Sequence, residues 1–133
     1  MISQKFSKKE RLKSRKKIHH LFEYGKQFKH YPFRIIWQVE EQYNPSVLAR
    51  IAISVSKRNI KKAKDRNYIK RKIREAYRKN KYLLYNDLQE RKQSISFMVI
   101  FSSSDDLSQM SVENELVKAL RKFIKALIKY NKR

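Results

Sequence analysis

Cysteine is absent from the 133 residues, and glycine occurs once and proline twice. With no thiol there is no disulfide and no thiolate metal site, which suits a reducing compartment. So little glycine and proline leaves no flexible joint at which the chain could divide. Its length is that of one domain, so residues 1–133 read as a single unit, with 1–10 and 131–133 as candidates for disorder. Long apolar runs are missing too. Nothing approaches the roughly 20 residues of a membrane span, and the opening MISQKFSKKERLK is charged where a signal peptide needs an apolar core. The expectation is a soluble, cytoplasmic protein with no membrane partner.

Catalytic groups are scarce. There is no GxSxG turn and no Gly-rich phosphate loop. His19 and His20 are neighbours, so on a helix they point about 100° apart and cannot ligate one ion together. His30 stands alone beside a turn. Asp105 and Asp106 are adjacent carboxylates of the kind that a metal-dependent nuclease would converge on its cations, although turn use is commoner for Asp after a strand. No catalytic residue and no metal ligand is assigned.

What the chain has in excess is positive charge. Lys and Arg number 34 against 12 acids, a net charge of +22. Such self-repulsion is costly unless a polyanion offsets it. Hydrophobic residues at 41%, with 16 aromatics, exclude a merely disordered basic tail. The charge is also clustered. Lys57 to Lys81 holds 13 basic residues against Asp65 and Glu75, and Lys8 to Lys17 holds seven in ten. Within the first cluster, Asp65 to Lys79 keeps a helical apolar pattern. Ile69, Ile73, Ala76, Tyr77 and Leu84 share one stripe, while Asn67, Lys70, Arg71, Arg74 and Arg78 share an adjoining arc. One face suits a core and the other suits phosphates. Asp65 is expected to cap this helix.

Around it, the pattern predicts an α+β fold. A first helix is expected from about Lys8 to Tyr24, capped by Ser7 and stopped by Gly25. Phe33 to Val39 is β-branched and aromatic, and Asn44-Pro45-Ser46 signals a reversal into Val47 to Ser56, so a hairpin is expected there. Ser94 to Ser103 reads as a buried strand, and Asp105, Asp106 and Ser108 as the next turn. A final amphipathic helix starts near Ser111, its apolar residues running from Val112 to Ile128, and is expected to close the core. In Val47 to Ser56, Ala52, Ser54 and Ser56 leave one sheet face small and shallow enough to admit an extended ligand strand. Duplex DNA would call for a helix-turn-helix or zipper frame, which is not visible, so RNA is the expected partner and DNA is not.

ISVSKR followed by DRNYIKRKIREAYR resembles the protein component of bacterial ribonuclease P. The resemblance covers most of the chain. Its strongest element is the basic helix motif RNRxKRxIR, present as Arg66 to Arg74, supported by Ser54 to Lys57, by RLK near the N-terminus and by Leu21 to Gly25. It implies a single-domain α-β sandwich in the order α-β-β-β-α-β-α, one strand more than the residues alone indicate, with a mixed sheet and a left-handed crossover around the basic helix. It also implies a subunit that binds the catalytic RNA and the 5′ leader of precursor tRNA, with Mg²⁺ and catalysis on the RNA. Carried over by position, Arg66, Asn67, Lys70, Arg71 and Arg74 would contact RNA. Phe22, Ser54, Ser56 and Lys57 would border the leader cleft. Tyr68 departs from the motif where a second arginine is usual, and Ile18 and Ile36 stand where aromatics are common. The alternatives are a structural RNA-binding protein of the ribosomal kind and a self-contained metal-dependent nuclease.

Overall fold

The computed structural model describes residues 2–103 and 111–131. Among the described residues four strands form one mixed sheet: β1 (Lys26–His30), β2 (Phe33–Val39), β3 (Ala49–Val55) and β4 (Ile95–Phe101), in the spatial order β1-β2-β4-β3. β4 pairs antiparallel with β2 and parallel with β3. As a central strand it is covered on both faces, which is why ISFMVIF is nearly continuous in its apolar character. Helix α1 (Arg15–Tyr24) lies on one face of the sheet. Helices α2 (Ala63–Asn80), α3 (Tyr82–Arg91) and α4 (Val112–Asn131) supply the layer on the other.

Alternation along the strands divides the core. Phe33, Ile35, Trp37, Ile51, Val55, Phe97, Val99 and Phe101 turn toward the three-helix layer. There they meet Ile69, Ile73 and Tyr77 of α2, and Leu116, Leu120, Phe123 and Leu127 of α4. Phe123 sits centrally, its ring 5.0 Å from Phe97 and 5.7 Å from Trp37. On the opposite face a smaller cluster joins Leu12 and Leu21 to Ile36 and Met98.

The element order is the expected one with a further helix, α3, between the basic helix and the last strand. The strand missing from the residue pattern is β1. Its sequence KQFKH carries no apolar alternation because it is an edge strand, with only Phe28 packed against the core. The hairpin is therefore β1-β2, and not the expected pairing of Phe33–Val39 with the next strand. Asn44 does form the turn, its Oδ1 accepting from the Ser46 N–H at 3.0 Å, but β4 then separates β2 from β3.

The first helix also starts later than expected. Lys8–Glu10 is a single 3-10 turn in which the Glu10 carboxylate accepts from the Ser7 N–H at 2.7 Å. The chain then runs extended along the edge of β3, where the Leu12 N–H donates to the Ile51 carbonyl at 2.9 Å. Ser14 takes over as cap for α1, its hydroxyl accepting from the Lys17 N–H. The basic helix begins at Ala63, so Asp65 lies within its first turn rather than at the cap, where its charge still meets the positive end of the helix dipole. The helical run breaks at Lys81, placing Leu84 in α3. The expected turn at Asp105, Asp106 and Ser108 lies outside the described residues.

Lys81 is 2% exposed and Glu10 8%. The Lys81 ammonium donates to Glu10 at 2.5 Å and to the Lys5 carbonyl, and the Tyr85 hydroxyl donates to Glu10 at 2.5 Å. Burial alone would raise the Glu10 pKa, but hydrogen bonds from Lys81, Tyr85 and the Ser7 N–H outweigh it and hold it below the ordinary value. This buried pair fastens the N-terminal segment across the junction of α2 and α3. Because the folded pKa is depressed, its stabilisation is complete above the unfolded value of about 4.3 and fades as pH falls through the folded one. Glu10→Ala strands a buried ammonium and should cost about 3–5 kcal/mol near neutral pH. Denaturant titrations should show the gap between wild type and variant narrowing below about pH 4.

Candidate nucleic-acid interface

The apolar stripe of α2 is buried as the periodicity requires, with Ile73 and Tyr77 at 0% exposure. That orientation turns Lys64, Asn67, Lys70, Arg71 and Arg74 outward together, around an open groove of about 540 Å³. Four of the five expected RNA-binding residues are thus gathered on one surface. Lys64 joins them and was missed, although the spacing 64, 67, 71, 74 is a helical stripe that could have revealed it.

Arg66 stands apart from this group. Its Nη1 donates to the carbonyls of Ile60 at 2.9 Å and Lys61 at 2.7 Å, tying down the loop that enters the helix. Arg78, read as part of the cationic arc, is also occupied, gripping Glu75 at 2.5 and 3.1 Å and the Gln4 carbonyl at 3.3 Å. Other cations are likewise paired: Lys17 with Glu40, Lys81 with Glu10, Arg91 with Asp87 and Lys118 with Glu115. Among the described residues, Lys64, Lys70, Arg71 and Arg74 have no carboxylate partner. Their charge is available to an external anion.

The second expected surface lies on the α1 side of the sheet. Ala52, Ser54 and Ile100 are only half-buried there, because α1 packs mainly over β2 and leaves this strip open. Phe22 extends from the sheet-facing stripe of α1 and is 51% exposed. Ser56 follows β3 directly, its carbonyl accepting from the Ile60 N–H, and Lys57 lies exposed in the turn that leads to α2. Of the departures from the family pattern, Ile36 is buried beneath α1 at 2% exposure and lines no open track, whereas Ile18 is half-buried.

Gly25 sets the seat of α1, and it does so through space rather than torsion, since its φ is −68°. A Cβ there would stand 2.5 Å from the Leu21 carbonyl oxygen and 2.8 Å from Ile36 Cγ2. A larger cavity of about 800 Å³ lies beside the N-terminal half of α1, but it mixes Lys16, Lys17 and Arg50 with Glu40 and Glu41 and so offers a polyanion no uniform field. Each histidine is engaged separately: His19 with Glu23 at 2.7 Å, His20 with Gln38 at 3.0 Å and His30 with Glu115 at 3.1 Å. Among the described residues no three His, Asp or Glu side chains converge as metal ligands, and no helix is long and apolar enough to cross a membrane.

A strongly basic α+β domain with one helix groove lined by four cations and no carboxylate has the features of a protein that meets a polyanion. Comparison with known proteins specifies which kind. The family model described as Ribonuclease P matches residues 6–124. The ribonuclease P protein component of Porphyromonas gingivalis is 39% identical over 117 residues, spanning 86% of this chain and 82% of that protein. The chain belongs to the ribonuclease P protein family. Its fold is shared with the ribonuclease P protein from Thermotoga maritima, with a TM-score of 0.66 at 23% identity, covering 85% of this chain and 96% of that one. The Staphylococcus aureus ribonuclease P protein gives 0.53 at 21%, covering 87% and 95%.

The seat of α1 can be tested alone. Gly25→Ala should force the helix off the sheet and cost about 1–3 kcal/mol by overpacking, read as a lower melting temperature. An unchanged value would show that α1 floats on the sheet.

Proposed function

We propose that Lys64, Asn67, Lys70, Arg71 and Arg74 form the face on which the catalytic RNA docks, and that Phe22, Ser54, Ser56 and Lys57 border the track of the single-stranded 5′ leader. As a member of its family the chain is the protein subunit of ribonuclease P, an endoribonuclease component of tRNA processing whose partners are the ribonuclease P RNA and precursor tRNA. The observation that carries the docking proposal is the group of outward cations without carboxylate partners. Arginine forks take phosphate oxygens in pairs, lysines act as point charges, and Asn67 can both donate and accept. Arg66 serves as a positioning residue, holding the loop between Lys57 and the helix.

The leader track suits a single strand. Its floor is small and half-buried at Ala52 and Ser54, and a solvent-facing ring at Phe22 can stack on an unpaired base. The protein therefore binds and orients, lowering the electrostatic cost of bringing two RNAs together. Hydrolysis of the phosphodiester leaves a 5′ phosphate on the tRNA. Mg²⁺ would supply activation of water and stabilisation of the leaving oxygen, and its place would be on the RNA, because the cationic face of α2 would repel a divalent ion. Tying the role to a cytoplasmic ribonucleoprotein fits the absence of cysteine and the polyanion demand of the chain.

Two experiments test this. Precursor tRNA with Mg²⁺ should be cleaved when the chain is added to the RNA subunit and left intact by the chain alone; cleavage by protein alone would establish the nuclease alternative. Arg71→Ala with Arg74→Ala should weaken RNA binding and flatten its logarithmic salt dependence by about 0.7 to 0.9 per lost phosphate contact. A salt slope equal to wild type would mean that these arginines are only solvated.

A further inference from the structure

α2 presents a second groove of different chemistry, between its Tyr68 flank and the start of α4. It encloses about 410 Å³. Tyr68 is 46% exposed, and the Lys72 ammonium stands 5.5 Å from its ring centroid, a cation-π contact that covers part of the ring and leaves the rest to solvent. The floor is apolar, made by Ala76 and Val112 at 4% and 9% exposure. The far wall is polar. Ser111 Oγ accepts from the Asn114 N–H at 3.2 Å and keeps its own hydrogen to donate, and Glu113 accepts from Asn80 Nδ2 at 2.9 Å with lone pairs to spare.

The two grooves of one helix are complementary. Lys64, Lys70, Arg71 and Arg74 face outward with no carboxylate among the groove's lining residues, the field a phosphate row requires. Around Tyr68, Glu75 and Glu113 are matched by Lys72 and Lys79, so the lining has no net charge to draw in a row of phosphates. An apolar floor, a free ring surface and a wall with both donor and acceptor match a planar heterocycle instead. We propose that this groove takes one unpaired nucleobase of the ribonuclease P RNA, stacked on Tyr68 with its polar edge toward Ser111 and Glu113. Lys72, beside the ring, meets the phosphate of the same nucleotide. At the motif position where a second arginine is usual, this chain thus replaces a phosphate contact by stacking. The proposal rests on the reading that α2 docks RNA.

The test uses the full chain and its RNA subunit, with affinity measured across a salt series. Tyr68→Leu should weaken binding about 5- to 100-fold at an unchanged salt slope, and Tyr68→Phe should bind as wild type does. Tyr68→Trp should retain affinity and lose indole fluorescence when RNA is added; Trp37 is 3% exposed, so the change reports on position 68. Wild-type affinity for the Leu variant, or indole emission unaltered by bound RNA, would overturn the stacking site. If instead the paired Arg71 and Arg74 substitutions leave affinity and slope unchanged, the docking reading itself has failed.

Discussion

The packing of the α2 apolar stripe against the sheet is the constraint on which the rest depends. Ile69, Ile73, Ala76 and Tyr77 are buried to 4% exposure or less. A helix so rich in Lys and Arg gains little from isolation in water, since like charges one turn apart repel. Side chains the size of Ile bury with about 1.5–3 kcal/mol each, which holds such a helix in one rotational setting. Once that setting is fixed, the directions of Lys64, Asn67, Lys70, Arg71 and Arg74 follow from geometry alone. The functional surface is the reverse side of a core contact.

The carboxylates that pair with basic side chains lie outside the groove on the outward face of α2. Glu10, Glu40, Glu75, Asp87 and Glu115 are each engaged with a basic side chain. Glu10 joins the N-terminal segment to the α2-α3 junction, and Glu40, paired with Lys17 at 2.6 Å, joins α1 to the end of β2. At Glu40 burial opposes ionisation, but hydrogen bonds from Lys17 and Ser96 lower the pKa overall. Glu10, Glu40 and Glu115 thus bind one element to another, Glu75 and Asp87 pair within their own helices, and no acid lines the groove on the outward face of α2. Repulsion is concentrated where an external polyanion can relieve it.

Much of this was legible in the sequence. The α2 stripe, the strand at Phe33–Val39, the buried strand β4 and the last helix are each written in their own periodicity. What failed depended on distant partners. KQFKH looks like loop because an edge strand, paired only with β2, needs few apolar residues on either face. Asn44-Pro45-Ser46 announces a turn without saying which strand pairs with which. The start of α1 is displaced because Leu12 is recruited by Ile51, and α2 ends at Lys81, whose ammonium is held by Glu10 from 71 residues away. In the interface, the resemblance implies an RNA contact for Arg66, and the structure adds that its guanidinium donates to the Ile60 and Lys61 carbonyls. Lys64 lay just ahead of the motif and was overlooked for that reason.

The central claim is that the outward row of α2 meets RNA while its inner stripe is committed to the core. Lysine acetylation of the free chain and of its complex with the ribonuclease P RNA, mapped by mass spectrometry, tests it most directly. Lys64 and Lys70 should react in the free chain and be shielded in the complex. Equal reactivity of both lysines in the two states would contradict the account.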